Sequence, residues 1–325
     1  MQKWDKDGKE EPLNLPSGAK CVVPWFDDES IYYANDRQHS QWVHENSSPP
    51  PWTKGEGVSE MVGDLFSPDF RFLRSVDGTR AARVIWKPGK NHDGYFTSDE
   101  FLAHVNASMD ILESDYPNMI HLLIFDNVPN HLKRPKDALS ARKMPKFTPA
   151  PGNNWGIEVS KRDANGKMEH GLNGKPIKIK IKMRDTFHNG KRQSLYFEEG
   201  HPRAGVFKGM AVILEERSYK DALKIRAECP KFKCPPDVEH CCCRQLLHNE
   251  LDFVHMKTLL EELCEKRGFL VLILPKYHCE LNPIEMIWGQ SKFHYWQYPP
   301  SKKEDDLVQN VENALAAVTI DEMRR

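Results

Sequence analysis

Long apolar runs are missing from this 325-residue chain. The most apolar stretches, residues 120–125, 210–214 and 269–274, have the length of core strands or short helices, against the ~20 residues that a membrane-spanning helix needs. No membrane crossing is expected. The opening MQKWDKDGKEE is charged throughout, so it lacks both the apolar centre of a secretory signal and the acid-poor, Arg- and Ser-rich character of a transit peptide. The expectation is a nuclear or cytosolic protein. Internal repeats are absent as well, and cysteine is nearly absent outside one segment: Cys21 stands alone, while the other seven of the eight fall between Cys229 and Cys279. Without a secretory context, a disulfide framework is not expected. What remains is a polar globular composition, with 39% hydrophobic and 10% aromatic residues and a mean hydropathy of −0.65. That composition excludes a disordered chain, and the length is enough for ~2 domains.

Net charge is scarce too, at −1 from 46 Lys and Arg against 47 Asp and Glu. The balance hides a partition. Between residues 131 and 193 sixteen Lys and Arg meet five acids, a surplus of +11, while the remainder holds 30 bases against 42 acids, or −12. A basic block in an otherwise acidic chain is either a surface for polyanions or a solvated lysine-rich loop. The cysteine segment offers Cys229, Cys234, His240, Cys241 to Cys243 and His248 as soft ligands. Cys234, His240, Cys241 and Cys243 make a candidate set for structural Zn²⁺, although the spacing fits no standard finger and three consecutive Cys cannot all face one ion without an irregular backbone. The alternative is a set of reduced, partly buried thiols.

Pattern along the chain predicts an α/β order. Residues 20–26 read as a buried strand, residues 30–33 and 41–44 as a hairpin around Asn35-Asp36, and residues 57–66 and 81–87 as further strands with a tight turn at Asp77-Gly78. Thr97 to Glu100 is a capping box that opens a helix running to about Ser114, followed by an apolar strand at 120–125. Residues 147–175, rich in Pro, Gly and Asn, read as loop. Ile177, Ile179, Ile181 and Met183 alternate with Lys178, Lys180, Lys182 and Arg184, which predicts a surface strand with one strongly basic face for nucleic acid. Helices are predicted within 202–227, at 256–266, from Asn282, from Ser301 with its own capping box to Glu304, and from Thr319. Strands first and α/β alternation later suggest an RNase H-like mixed sheet flanked by helices.

Three acids stand at the ends or openings of these elements: Asp28 after the first strand, Asp126 after the apolar strand, and Glu285 in the first turn of the late helix. Acids at the C-terminal edges of neighbouring strands can meet in one crevice. Hard carboxylate oxygens are what Mg²⁺ prefers, and two such ions ~3.5–4 Å apart serve phosphodiester chemistry. Asn282 before Pro283 suits an N-cap, with Glu285 placed favourably against the helix dipole; that explanation is also purely structural.

The blocks WFDDES at 25–30, FDNVPNH at 125–131 and LPKYHCELNPIEMIWG at 274–289 resemble, in order, the three signature blocks of the mariner superfamily of DDE transposases. The wider text resembles a branch of these elements abundant in mushroom-forming fungi. The resemblance covers residues 20 to 300, and its last block is the most specific. It implies an RNase H-like catalytic core in which Asp28, Asp126 and Glu285 hold two Mg²⁺ or Mn²⁺ ions for DNA cleavage and strand transfer in the nucleus. Asp27 is the rival for the first position. Asn127 and His131 fall in the family's second block, with His131 either positioning Asp126 or simply packing. DNA is the implied partner, a homodimer is allowed, and no small-molecule cofactor is implied. In compact relatives the second Asp and the Glu lie some thirty residues apart; here the separation is 159. The expected layout is therefore a lead-in at 1–18, a core at 19–146, a basic and Cys-rich insertion at 147–250, the rest of the core at 251–300, and a clipped C-terminal helix at 301–325. The helix-turn-helix region that normally precedes such cores has no room, which is compatible with a truncated or inactive copy, or with a non-catalytic nucleic-acid-binding descendant.

Overall fold

The computed structural model describes residues 15–36, 55–89, 93–94, 96–163, 166–236, 238, 240–301 and 303–324. In chain order the elements are β1 (Val22–Tyr33), β2 (Ser59–Ser67), β3 (Arg71–Phe72), β4 (Val84–Trp86), α1 (Ser98–Asp115), β5 (Ile120–Phe125), β6 (Ile157–Ser160), β7 (Lys178–Ile181), β8 (Thr186–His188), β9 (Lys191–Gln193), α2 (Met210–Glu216), α3 (Cys243–Asn249), α4 (Leu251–Val254), α5 (Leu259–Lys266), β10 (Leu270–Ile273), α6 (Ile284–Gln297), α7 (Glu304–Ala317) and α8 (Ile320–Met323). They fall into two compact units, Met1–Lys133 with Leu259–Arg325, and Arg134–Thr258. No helix among the described residues is long and apolar enough to cross a membrane.

The first unit is a mixed sheet in the order β10-β5-β1-β2-β3, with β4 also on β2. Strand β1 runs unbroken through the acids that had suggested a break. Its first half pairs in parallel with β5, from Val22 opposite Ile120 to Phe26 opposite Ile124. From Phe26 onward it pairs antiparallel with β2, ending at Tyr33 opposite Ser59. Pro24 is tolerated because it stands where β1 has only the β5 partner, so one donor can be spared. The second arm of the expected hairpin is thus β2; the stretch 41–44 lies outside the described residues. Alternation on β1 sends Val23 and Trp25 into a core with Phe101, Val105, Met109 and Leu112 of α1 and Leu260 and Cys264 of α5. It sends Phe26 and Tyr32 to the other face, against Ile284, Ile287, Trp288 and Tyr295 of α6 and Leu307, Val311 and Leu315 of α7. Helices therefore cover both faces.

Helix starts follow local chemistry. Thr97 and Glu100 form the capping box of α1, and Thr319 and Glu322 that of α8. For α7 the expected box at Ser301 gives way to a start two residues later: the Asp306 side chain accepts the Lys303 N–H at 3.2 Å, while Ser301 Oγ accepts from Asn310 Nδ2 at 3.1 Å. Strands β5 and β10 are parallel neighbours, so the chain must cross over between them. Helix α5 makes that crossover, stopped at Gly268 with φ +79°, and the second unit is inserted ahead of it. Leu259 N donates to Lys133 O at 2.8 Å, so the chain leaves and returns at adjacent points, and a long excursion costs the core little.

The second unit is sparing in regular structure. Two short hairpins, β6–β7 and β8–β9, accompany α2 to α4 around Leu139, Met144, Met183, Leu195, Phe207, Ile213, Leu214 and Leu247. It starts at Arg134 rather than at 147, because Leu139, Ala141 and Met144 already belong to this core. Strand β6 arises inside the expected loop, paired with β7 from Ile157 opposite Ile181 to Ser160 opposite Lys178. Helix α2 is far shorter than the 202–227 pattern suggested, bounded by Gly209 at φ +91° and Ser218 at φ +70°.

Candidate active site

The two adjacent aspartates of β1 face opposite ways. Asp28 shares the α6 side with Phe26 and Tyr32, and its Oδ2 accepts from Trp288 Nε1 at 3.0 Å. Asp27 lies on the α1 side at 1% exposure, 3.8 Å from His104 Nδ1, with neither carboxylate oxygen hydrogen-bonded. Burial holds the His104 imidazole down at about 4. It is neutral at pH 7 and gives Asp27 no counter-charge.

Helix α6 is laid along β1 by paired contacts. Asn282 Nδ2 donates to Asp27 O at 3.0 Å, Trp288 reaches Asp28, Tyr32 and Ser291 share a hydroxyl hydrogen bond, and Tyr295 OH donates to Tyr33 O at 2.8 Å. The expected cap is only half right. Pro283 takes helical angles, but the Asn282 side chain is drawn to β1 and caps nothing. Glu285 is in the first turn, three residues before Trp288, and so on the same face of the helix.

Asp126 ends β5, half-exposed. His131 Nδ1 donates to the Asp126 carbonyl at 3.0 Å and lies 2.8 Å from Asp126 Oδ1. The same ring stacks on Phe101 at 4.1 Å, so His131 both packs and positions. Burial, the largest influence, works to lower its pKa, but the side chain, backbone and charge of Asp126, with Glu29, outweigh it and hold it above the ordinary value. Asn127 Nδ2 donates to Leu274 O at 3.4 Å, tying the end of β5 to the end of β10.

Electrostatics link these acids. Asp28 is pushed up to about 8, first by burial, then by the charges of Glu285, Glu29 and Asp126, against a lowering hydrogen bond from the Glu29 backbone. Asp27 is raised by burial and then by Glu29, Asp28, Asp126 and Asp64. Glu29 is raised by burial, with His131 opposing and Asp126 adding. Among the described residues, no Lys or Arg pairs with Asp27, Asp28, Glu29, Asp126 or Glu285. The carboxylate group whose ligand atoms all lie within 4.8 Å of one another is Asp27, Glu29 and His131. Among the described residues the predicted set Asp28, Asp126 and Glu285 is not gathered in this way; Glu285 and Asp126 reach Asp28 as neighbouring charges. Glu29 and Trp288 were not singled out from sequence. The signal for Trp288 was its place three residues after Glu285.

The other predicted sites are in the second unit. Lys178, Lys180 and Lys182 are exposed. Arg184 is half-buried and bound to Asp137 Oδ1 at 2.7 Å, so its charge is already taken. Of the predicted zinc set, Cys234 and Cys241 gather with Cys229 and Cys242. Cys243 turns away, its Sγ donating to Ala222 O at 3.5 Å, and His240 lies against Tyr219, ring centroids 5.8 Å apart.

No described protein family matches the chain, and no curated protein is significantly similar to it. Two chains of solved structures match. One, from the crystal structure of a pre-cleavage Mos1 transpososome, is 13% identical with a TM-score of 0.26, over 35% of this chain and 31% of that one. The chain thus spans about a third of the solved chain it matches, and a likeness that slight carries no argument by itself.

Proposed function

We propose that the chain is the RNase H-like catalytic core of a DDE-type DNA endonuclease/transposase of the mariner superfamily, acting on nuclear DNA with two Mg²⁺ or Mn²⁺ ions held by Asp28, Asp126 and Glu285. One observation carries this reading: Asp28 is buried beside the charges of Glu285 and Asp126, and among the described residues no Lys or Arg pairs with any of the three. Burial and neighbouring charge favour the protonated form of Asp28 at neutral pH, and a bound cation would restore the ionised form that can ligate it. The residues fit the ions, since the donors are hard oxygens and the deficit is of positive charge. When bound, such ions lower the pKa of an attacking water or 3′-hydroxyl and stabilise the leaving oxygen. The chain's own residues do the positioning. Trp288 and the Glu29 N–H orient Asp28, His131 holds Asp126, and Asn282 anchors the start of the helix that carries Glu285. The parallel β1–β5–β10 set with antiparallel β2 and β3 supports the RNase H-like reading, and the exposed lysines of β7 support DNA as the polyanion.

The test is nicking of supercoiled DNA by the purified chain with Mg²⁺ or Mn²⁺. Asp28→Asn, Asp126→Asn and Glu285→Gln each reduce it to background. Equal metal-dependent nicking by wild type and variants overturns the assignment. The close grouping of Asp27, Glu29 and His131 favours a second ligand set, with one cation on the α1 side of β1; there Glu29→Gln abolishes metal binding and Glu285→Gln spares it. A wild-type chain that binds DNA and never cuts it leaves the non-catalytic reading.

A further inference from the structure

We propose that Cys229, Cys234, Cys241 and Cys242 form a structural Zn²⁺ site in the second unit, independent of the carboxylate site. The four sulfurs all lie within 4.8 Å of one another, with Cys229 and Cys241 3.2 Å apart and Cys234 and Cys242 4.0 Å apart. Tetrahedral Zn²⁺ with Zn–S of ~2.3 Å requires sulfurs ~3.8 Å apart, so the cluster already brackets that geometry. No pair is bonded: every cysteine is free, and the closest sulfurs stand 3.2 Å apart, against the ~2.05 Å of an S–S bond.

The backbone is bent to bring these sulfurs together. Lys231, Phe232 and His240 have φ of 54°, 59° and 66°, a left-handed conformation that is unfavourable for a non-glycine residue. All three lie in the two turns that carry the cysteines. The chain turns left-handed at His240 directly before Cys241 and Cys242, whose sulfurs both join the group, and Cys243 then continues into α3. Thiols are weak donors and acceptors, so four of them facing one another give little to hold such turns; four metal–sulfur bonds do. Binding replaces four thiol protons and leaves a site of charge −2, in a segment that also carries the exposed Lys231 and Lys233. Gln245 supplies an outer layer: its N–H donates to Cys242 Sγ at 3.4 Å, and its Oε1 accepts from Cys241 N at 3.2 Å. A unit whose longest helix has seven residues is the kind of fold in which a metal staple contributes to folding itself. Soft thiolates select zinc where the carboxylates select magnesium or manganese, so the two sites are separable by metal.

The test uses the full chain, expressed with zinc and passed briefly through EDTA to strip carboxylate-bound metal. One zinc per chain is expected, released as a mercurial titrates four thiols, while exposed Cys279 reacts without release. Exchange for Co²⁺ should give the intense visible bands and thiolate charge-transfer absorption of a tetrahedral tetrathiolate. Cys234→Ser loses that spectrum; Cys243→Ser and Cys264→Ser keep it. A wild-type chain that retains no zinc, or a cobalt spectrum that Cys234→Ser leaves unchanged, overturns the proposal, and the wild-type titration decides the matter even if the serine variants fail to fold.

Discussion

Asp64 sits opposite Asp28 in the β1–β2 register, fully buried, with Oδ2 accepting from Arg83 Nε at 2.7 Å and Oδ1 from Leu65 N at 2.9 Å. Burial nevertheless dominates over Arg83 and raises its pKa from 3.8 to about 6. A folded value above the unfolded one means that the native state binds more protons between the two. The contribution to stability is thus complete below about pH 4 and lost as pH rises through 6. Relative to Asp64→Asn, wild type should lose about 2 kcal/mol of stability between pH 4 and pH 7, at ~1.4 kcal/mol per pKa unit. Denaturant titrations of both proteins at the two pH values check this, and a difference that does not vary with pH refutes it. Trp288 invites a second measurement. Trp288→Phe keeps an aromatic ring against Phe72 but removes the donor to Asp28, and loss of such an outer partner weakens metal binding by ~10-fold or more. Calorimetric Mn²⁺ titration should show that loss with the far-ultraviolet spectrum unchanged. Individual acids could be picked from sequence because they end or open patterned segments. Their partners could not, since His104, Trp288 and Arg83 reach them across the sheet from distant parts of the chain.

Elements with a strong local signal were the readable ones. α1 has both its capping box and a continuous apolar face, and β5 is an apolar run of strand length, so propensity and packing agree. β1 runs on past the acids because β2 takes over the pairing from Phe26 after β5 ends it, which alternation alone does not reveal. β6 hides in a Pro-, Gly- and Asn-rich stretch and exists because β7 pairs with it. Helix α2 was over-extended because apolar spacing says nothing about where a backbone must turn left-handed. At its start, Gly209 has φ +91° and lies so close to the chain that an added Cβ would stand 2.6 Å from the Phe147 carbonyl carbon. That approach lets Met210 and Ala211 N–H donate to Pro145 and Lys146 carbonyls at 3.0 Å each, capping α2 without a side chain. Gly209→Ala should therefore destabilise the chain by more than ~2 kcal/mol, the strain and the displaced backbone adding. Thermal unfolding reads the loss, and an unchanged midpoint would show that residues 145–148 can move away at no cost.

At the scale of the whole chain, composition located a basic, cysteine-rich region but not its folding boundaries. Charge follows the solvent-facing side chains, whereas the boundary follows the core, which takes in Leu139, Ala141 and Met144 ahead of the basic strand. The charge partition still makes a quantitative claim about DNA. Each phosphate neutralised contributes about −0.9 to the slope of log affinity against log salt. Lys178, Lys180 and Lys182 are exposed even though Lys178 Nζ donates to Ser160 Oγ at 2.7 Å and Lys182 Nζ sits 5.3 Å from the Tyr196 ring; none of the three has an acid partner in an ion pair among the described residues. Replacing all three with Gln should flatten the slope by up to ~3. Arg184→Gln should leave the slope unchanged, because Asp137 already neutralises Arg184, and should instead cost the stability of an ion pair. Anisotropy titrations of one duplex at several salt concentrations separate these outcomes. Equal flattening by the triple variant and by Arg184→Gln would mean that overall charge, not the lysines of β7 and Lys182 just after it, meets the phosphates.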